Sequence, residues 1–374
     1  MTKRVNTARH NLWHHNPRDS LDGNLAIGGV MRRSSKLAVL LAVLTASSAR
    51  AATLIPVVPV PGSTVTAVNA INDNNIIVGT YEMADGIEHG FYGTLAGDYT
   101  TFDFDAINDS GTVVRDIDNR GDMTGTANLT QQDTLNLVEF ERFANGSMKL
   151  IETRHKPLHG VAGGISPKKG TFAAENWNED LTTDGFLGRR ANAKTELELG
   201  FTATKVRPRD VADSGDVVGY YKTTGGYQGF LLRGGTVTTL NYPDANAAST
   251  LPQGVNPGQM ITGYWQDADF NEFAFIYDEK KATYTPITVP GFPNSTADGI
   301  NRAGLIAVQG YSSDFTATAA YIYCPKKKSK CPAGGAEIAD AKPVRVPAGG
   351  IVRRVPPGAP KPLTPAHAAV LLRQ

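Results

Sequence analysis

The densest run of metal-type oxygen donors in the chain is Asp267-Ala268-Asp269-Phe270-Asn271-Glu272, with Asp278 at the twelfth position counted from Asp267. Oxygens at alternate positions of such a loop can wrap calcium, a hard cation. Glu272, however, stands at the sixth position, where the sharp turn of that loop needs Gly. A polar hairpin therefore outweighs a calcium site formed by Asp267, Asp269, Asn271 and Asp278, and no other cofactor is indicated. Asp116, Asp118 and Asp122, around IDNRGD, form a second acidic group with the same two readings. Arg120-Gly121-Asp122 spells an adhesion tripeptide, but its Gly falls where a hairpin requires positive φ.

Catalysis has weaker footing. Beyond residue 52 the histidines are His89, His155, His159 and His367, and no Gly-x-Ser-x-Gly elbow accompanies them, so no catalytic residue is nominated. Carboxylates are plentiful in turns, yet a glycosidase pair is defined by a separation in space. A set of aromatic residues is more suggestive: Tyr81, Trp177, Tyr220, Tyr264 and Trp265, with Tyr221, follow one recurring strand. Projected at one rim, they would stack on sugars or clamp a peptide. The competing use, packing between neighbouring sheets, carries more weight, because buried aromatics dominate core energetics.

These residues recur because the chain does. INDNNIIVG, IDNRGDMTG, ISPKKGTFA, VADSGDVVG, VNPGQMITG and INRAGLIAV open at Ile71, Ile117, Ile165, Val211, Val255 and Ile300, at intervals of 46, 48, 46, 44 and 45 residues. Eight residues on stand Gly79, Gly125, Gly219 and Gly263, with Ala173 and Val308 in the other copies. An aromatic-centred strand follows at Phe91, Phe186, Phe230, Phe275 and Tyr321, the second copy reading LNLVEFERF, and then a Thr-rich strand. Four short strands in about 45 residues, with Asn, Asp and Gly at the turns, predict the blade of a propeller. The central Gly predicts close backbone approach near a crowded channel.

The predicted fold is all-β: a six-bladed β-propeller over 53–325, four strands per blade. The sixth copy lacks its last strand, and IPVVPVPGSTVTAVNAIN at the front matches TPITVPGFPNSTADGIN, with Val60 and Val289 each eleven residues before the next opening Ile. The N-terminal strand is thus expected to complete the last blade and tie the ring shut. The Ile-Asn-Asp turns, Val218-Gly219-Tyr220, His89-Gly90-Phe91 and Thr238-Thr239-Leu240 resemble the HAF family of bacterial extracellular repeats, over roughly residues 53–325. That resemblance implies export and a propeller-like architecture, and it carries no catalytic residues.

Arg32, Arg33 and Lys36 precede an apolar stretch, Leu37 to Leu44, and Ala49-Arg50-Ala51 has the small-x-small form of a cleavage site, so 31–51 reads as a signal peptide. Met31 is the expected start, which makes 1–30 a mis-assigned or disordered extension. The apolar stretch is short of the roughly 20 residues of a membrane span, so the mature chain is expected to be secreted or periplasmic with no transmembrane segment. Cys324 and Cys331, the only cysteines, are expected to form one local disulfide. Residues 326–374, with Lys326, Lys327, Lys328 and Lys330 followed by Pro, Ala and Gly, read as a loop and flexible tail. The net charge of +1, with interspersed signs, points away from nucleic acid. The expected function is monomeric, non-catalytic recognition of a glycan, peptide or protein partner. The alternative is a propeller hydrolase or lyase, which would need acids of several repeats to converge, for example around Glu175 or Asp267.

Overall fold

The computed structural model describes residues 52–354 except 105–108, 132–133, 154–158, 179–181, 194, 204, 326–330, 339–340 and 346–351. The expected leader, the lysine run, His155 and His367 lie outside the described residues. Every regular element among those described is a β-strand, so the chain is all-β. No helix among them is long and apolar enough to cross a membrane.

Each repeat becomes one sheet. In the fourth, Val206–Val211, Val217–Thr223, Gly226–Arg233 and Thr236–Leu240 pair antiparallel in chain order. The other first strands are Val65–Ile71, Asp109–Ile117, His159–Ile165, Ser249–Val255 and Asn294–Ile300. A single parallel pair, Glu88 with Gly111, additionally links the first and second sheets.

Asn is favoured in the first turn because its amide can both accept and donate. Asn72 Oδ1 accepts the N–H groups of Asn74 and Ile76, each at 3.0 Å, which satisfies its own turn. Its Nδ2 donates to Asp118 O in the next sheet at 2.9 Å. Asn256 Nδ2 donates in the same way to Asn301 O, and Asn301 Nδ2 to Asn72 O, each at 3.0 Å. Asp118 has no amide to donate, and there the backbone N–H of Asn119 reaches Pro167 O at 2.8 Å instead. The RGD tripeptide is folded on itself: Arg120 Nη2 lies 2.8 Å from Asp118 Oδ2 and 2.9 Å from Asp122 Oδ2.

The central glycines do mark a close approach, but the crowding comes from within their own sheet and not from the channel. A Cβ on Gly125 would lie 2.3 Å from Phe140 Cζ and 2.7 Å from Val113 O, and one on Gly219 would lie 2.2 Å from Arg207 O. Phe91, Phe140, Phe230 and Phe275 stand directly opposite Gly79, Gly125, Gly219 and Gly263 on the neighbouring strand. All four rings are fully buried, and those of Phe91 and Phe140 lie directly against Gly79 and Gly125.

The N-terminal strand Ala52–Pro56 pairs with Thr318–Cys324, Thr53 opposite Cys324, and is the fourth strand of the sixth sheet. Gly62 and Gly291, equivalent in the two matched segments, share φ of +83° and +85°. Apolar side chains join the fifth sheet to the sixth, as Ala274 and Ile287 meet Ala297 and Ile306. They also join the sixth to the first, as Ala307 and Ile322 meet Val68 and Phe91. Cys324 and Cys331 form the disulfide. The tail departs from its expected flexibility. Ala336–Ile338 pairs with the N-terminal strand, Val344–Arg345 with Thr283–Pro286, and Val352–Arg354 with Thr236–Leu240. Three short strands thereby cover the outer edges of the sixth, fifth and fourth sheets in turn, edges that would otherwise present unpaired backbone groups.

Candidate functional site

One irregularity recurs in all six sheets. Pairing between the first and second strands slips between Val68 and Ala70, Val114 and Asp116, Ala162 and Ile165, Pro208 and Asp210, Pro252 and Gly254, and Ala297 and Ile300. A bulge of this kind puts an extra residue into the first strand and re-aims a side chain, with one residue skipped in four sheets and the pairs Gly163-Gly164 and Asp298-Gly299 opposing a single residue in the third and sixth. The residues so placed are Asn69, Arg115, Gly163, Arg209, Gln253 and Asp298. All six line one cavity, one residue from each repeat. The space is small, about 30 Å³, room for one or two waters or a single small group.

Asp116 and Asp210 also line this space. Asp116 Oδ1 accepts the N–H of Ile117 at 2.8 Å and Oδ2 that of Ile165 in the next sheet at 2.7 Å. Asp210 repeats the arrangement with Val211 at 2.7 Å and Val255 at 2.8 Å. The two carboxylates close on Gly164, where a methyl group would sit 2.3 Å from Asp210 Oδ1 and 2.9 Å from Asp116 Oδ2. Burial first, then the nearby Asp210 charge, pushes the Asp116 carboxyl well above its ordinary range. Burial likewise raises Asp210 to about 7 and Asp298 to about 6. Burial and the like charge of Arg209 lower the pKa of Arg115. Arg209 Nε donates to Gln253 Oε1 at 2.9 Å.

The two ends of the inner strands differ. At the end carrying the first turns, Arg302 lies 3.5 Å from Asp73 of the first repeat and 3.7 Å from Asp213 of the fourth. Towards the other end Arg207 stands 3.7 Å from Glu175 Oε2 and 4.5 Å from the centre of the Trp177 ring, and Trp177 Nε1 donates to Glu175 Oε1 at 3.1 Å. Tyr220 and Tyr227 flank the same guanidinium at 6.0 and 5.9 Å. Glu139 of the second repeat is buried near Glu175 of the third, and burial and that neighbouring charge raise its pKa well above normal.

The aromatic set divides. Trp265 stacks between Tyr242 and Phe273, and Tyr81 stacks on His89 beside Phe91, both as packing residues. Trp177 and Tyr220 gather about Arg207, and Tyr264 lies within electrostatic reach of Arg209 and Glu272. Of the calcium donors, Asp267, Asp269 and Asn271 share one hairpin and Asp278 lies apart from them. Asp267 closes its own hairpin, Oδ1 accepting from Asp269 N and Asn271 N at 2.9 Å. Asp278, opposite Met260, lies at the far end of the same strand pair, roughly 20 Å along it, because the twelve positions run down a strand instead of round a loop. Among the described residues no three His, Cys, Asp or Glu are grouped to hold a metal ion. His89 Nδ1 meets Asp103 Oδ1 at 2.8 Å. The arginines and the bulge positions are absent from the motif reading, although each copy signals them by a polar residue or Gly two places before its opening Ile or Val.

The chain is therefore an all-β protein of repeated four-stranded sheets whose inner strands converge on a polar, arginine-containing cavity. No family model and no curated protein matches it. Among solved structures it is similar to a mutant of AofleA from Arthrobotrys oligospora, at 12% identity and TM-score 0.46, covering 80% of this chain and 90% of that one. It is also similar to the fucose-specific lectin from Aleuria aurantia, at 11% identity and TM-score 0.43 with 72% and 100% covered. TolB from Acinetobacter baumannii matches at 12% identity and TM-score 0.40, with 74% and 67% covered.

Proposed function

We propose that the six sheets close into a six-bladed propeller, and that this is an exported, monomeric, non-catalytic recognition protein of the HAF type. Its ligand, a glycan or peptide, is held at the Arg207 end of the inner cavity. The observation that carries this reading is the repeated bulge, which aims one residue from each repeat at one point. Closure is supported by the bond from Asn301 to Asn72 and by the apolar contacts between the sixth and first sheets. Export is supported by the disulfide. The cavity admits only a small group, so the body of a ligand would rest above it, near Arg207, Trp177, Tyr220 and Tyr264.

The enzyme reading has its own support, since acids of the second, fourth and sixth repeats do converge. Asp116 and Asp210, however, spend both oxygens on backbone N–H groups, which leaves them poorly placed to attack a substrate or relay its proton. Glu139 and Glu175 are buried, and Glu175 is tied to Arg207 and the Trp177 indole. The test is to screen the full-length exported protein against glycan and peptide arrays while assaying product release. Binding without turnover, weakened by Arg207→Ala or Tyr220→Ala, is expected. Specific turnover of any polymer would overturn the reading.

A further inference from the structure

The inner cavity is lined by two cations, Arg115 and Arg209, with no ion pair to either among the described residues. Arg115 makes no ion pair among the described residues, and its buried Nε has no hydrogen-bond partner. Arg209 is held by a neutral amide, that of Gln253. Asp116 and Asp210 spend their oxygens on backbone N–H groups. Asp298, whose Oδ2 accepts from the Thr296 hydroxyl at 3.1 Å, attracts both guanidinium groups, Glu88 attracts Arg115 and Glu175 attracts Arg209, all without a direct ion pair among the described residues. Two guanidinium groups thus border one space while repelling each other. Burying a cation without a partner is costly, and a planar guanidinium is suited to grip a carboxylate through two parallel N–H bonds.

We infer that the cavity is a slot for the carboxylate of an acidic sugar, gripped between Arg115 and Arg209, with the sugar ring held outside it. This inference rests on reading the cavity as a binding site. The size of the space suits a carboxylate and excludes a pyranose ring. The remaining lining favours a sugar over a peptide C-terminus. Asn69, Gln253 and Asp298 offer amide and carboxylate partners for hydroxyls, and no apolar side chain lines the space to receive a terminal residue. The charged and titratable groups facing the two arginines are Asp116, Asp210 and Asp298 within the cavity and Glu88, Glu175, Arg207, Tyr220 and Tyr264 around it.

Calorimetric titration of the full-length protein with sodium glucuronate, glucose and N-acetyl-glycyl-glycine, at fixed ionic strength, tests this. Glucuronate is expected to bind at least tenfold more tightly than glucose or the dipeptide. Arg115→Gln and Arg209→Gln should each weaken glucuronate at least tenfold, and Arg115→Lys, which keeps the charge but loses the fork, should fall between. Equal binding of glucose and glucuronate would overturn the slot, as would glucuronate binding that survives both Gln substitutions or a preference for the dipeptide. A neutral glycan bound near Tyr220 with no response to either arginine removes the slot and leaves the recognition reading standing. Cleavage of a uronic-acid polymer, lost in both Gln variants, supports the slot and removes the non-catalytic reading.

Discussion

Arg115 and Arg207 lie in one network, yet their removal should act in opposite directions. Arg207 faces Glu175 at 3.7 Å, and the Glu175 side chain is 3% exposed, so Arg207→Met would strand a buried carboxylate. Breaking one side of a buried pair typically costs 3–5 kcal/mol. The Trp177 indole also donates to Glu175, and with the long separation this brings the expectation down to about 2–4 kcal/mol. Arg115 has only longer-range attraction from Glu88 and Asp298, against repulsion from Arg209. Arg115→Met removes a desolvated cation and relieves that repulsion, so the unliganded protein should gain about 1–2 kcal/mol. Urea unfolding at pH 7, free of carboxylate buffers and read by tryptophan fluorescence and circular dichroism, measures both changes. In a protein of this size they correspond to a thermal midpoint raised by roughly 1.5–3 °C for Arg115→Met and lowered by a larger amount for Arg207→Met. A loss of more than about 1 kcal/mol in Arg115→Met would refute the reasoning, because it would mean that the guanidinium already has its counter-charge inside the protein.

Other outcomes follow from the same geometry. Asp210 and Asp298, raised to about 7 and about 6, and Glu141 and Glu272, both raised to about 7, keep protons that the unfolded chain releases near pH 4, so the fold binds more protons between those values. Stability should therefore rise as pH falls from 8 to about 5, with burial of His159 opposing this weakly below pH 6.5; a thermal midpoint that falls steadily across that range contradicts the assignment. Asp210→Ala orphans the N–H groups of Val211 and Val255 and should cost about 2–4 kcal/mol, with the Val255 amide exchanging faster with deuterium; unchanged exchange there would remove its role in joining the fourth and fifth sheets. Gly125→Val meets the Phe140 ring and Val113 O and should cost more than about 3 kcal/mol, whereas Gly215→Ala, in open space at φ +90°, should cost only about 1 kcal/mol; equal costs in urea unfolding would show that crowding at Gly125 is not what selects glycine.

Much of the fold was legible because it is written six times. The interval from Ile71 to Ile300 located each sheet, and the match of Val60-Pro61-Gly62 to Val289-Pro290-Gly291 located the strand that travels from the front of the chain to the sixth sheet. The tail was not legible in this way. Ala336–Ile338 and Val344–Arg345 have the Pro, Ala and Gly surroundings of a linker, and what makes them strands is an unpaired edge supplied by a distant part of the chain. A backbone ladder asks little of side-chain type, so composition there carries no signal. The choice between calcium loop and hairpin at Asp267 turned on side-chain pattern instead. The hairpin preferred over the calcium loop is what forms, because Phe273, Phe275 and Tyr277 alternate as a strand and carry Asp278 away from Asp267.

The site was hidden at a single step, although its signature is present in the sequence. In an unbroken strand, residues three apart point to opposite faces. Val68 and Ile71 are three apart and both buried, as are Val114 and Ile117, and Ala162 and Ile165. Two apolar residues at odd spacing can both be buried on one face only if one residue between them is extra, and an extra residue on an inner strand is unpaired. The residue two places before the opening Ile or Val is Asn, Arg, Gly, Arg, Gln and Asp in successive repeats. This variation follows from geometry, because the bulge fixes a direction and leaves the side chain free of the ladder. The framework can therefore repeat while its six inward positions differ. A symmetric fold thereby carries an asymmetric cavity, with cations from the second and fourth repeats, an acid from the sixth, and a gap at Gly163 and Gly164 through which Asp116 and Asp210 approach each other.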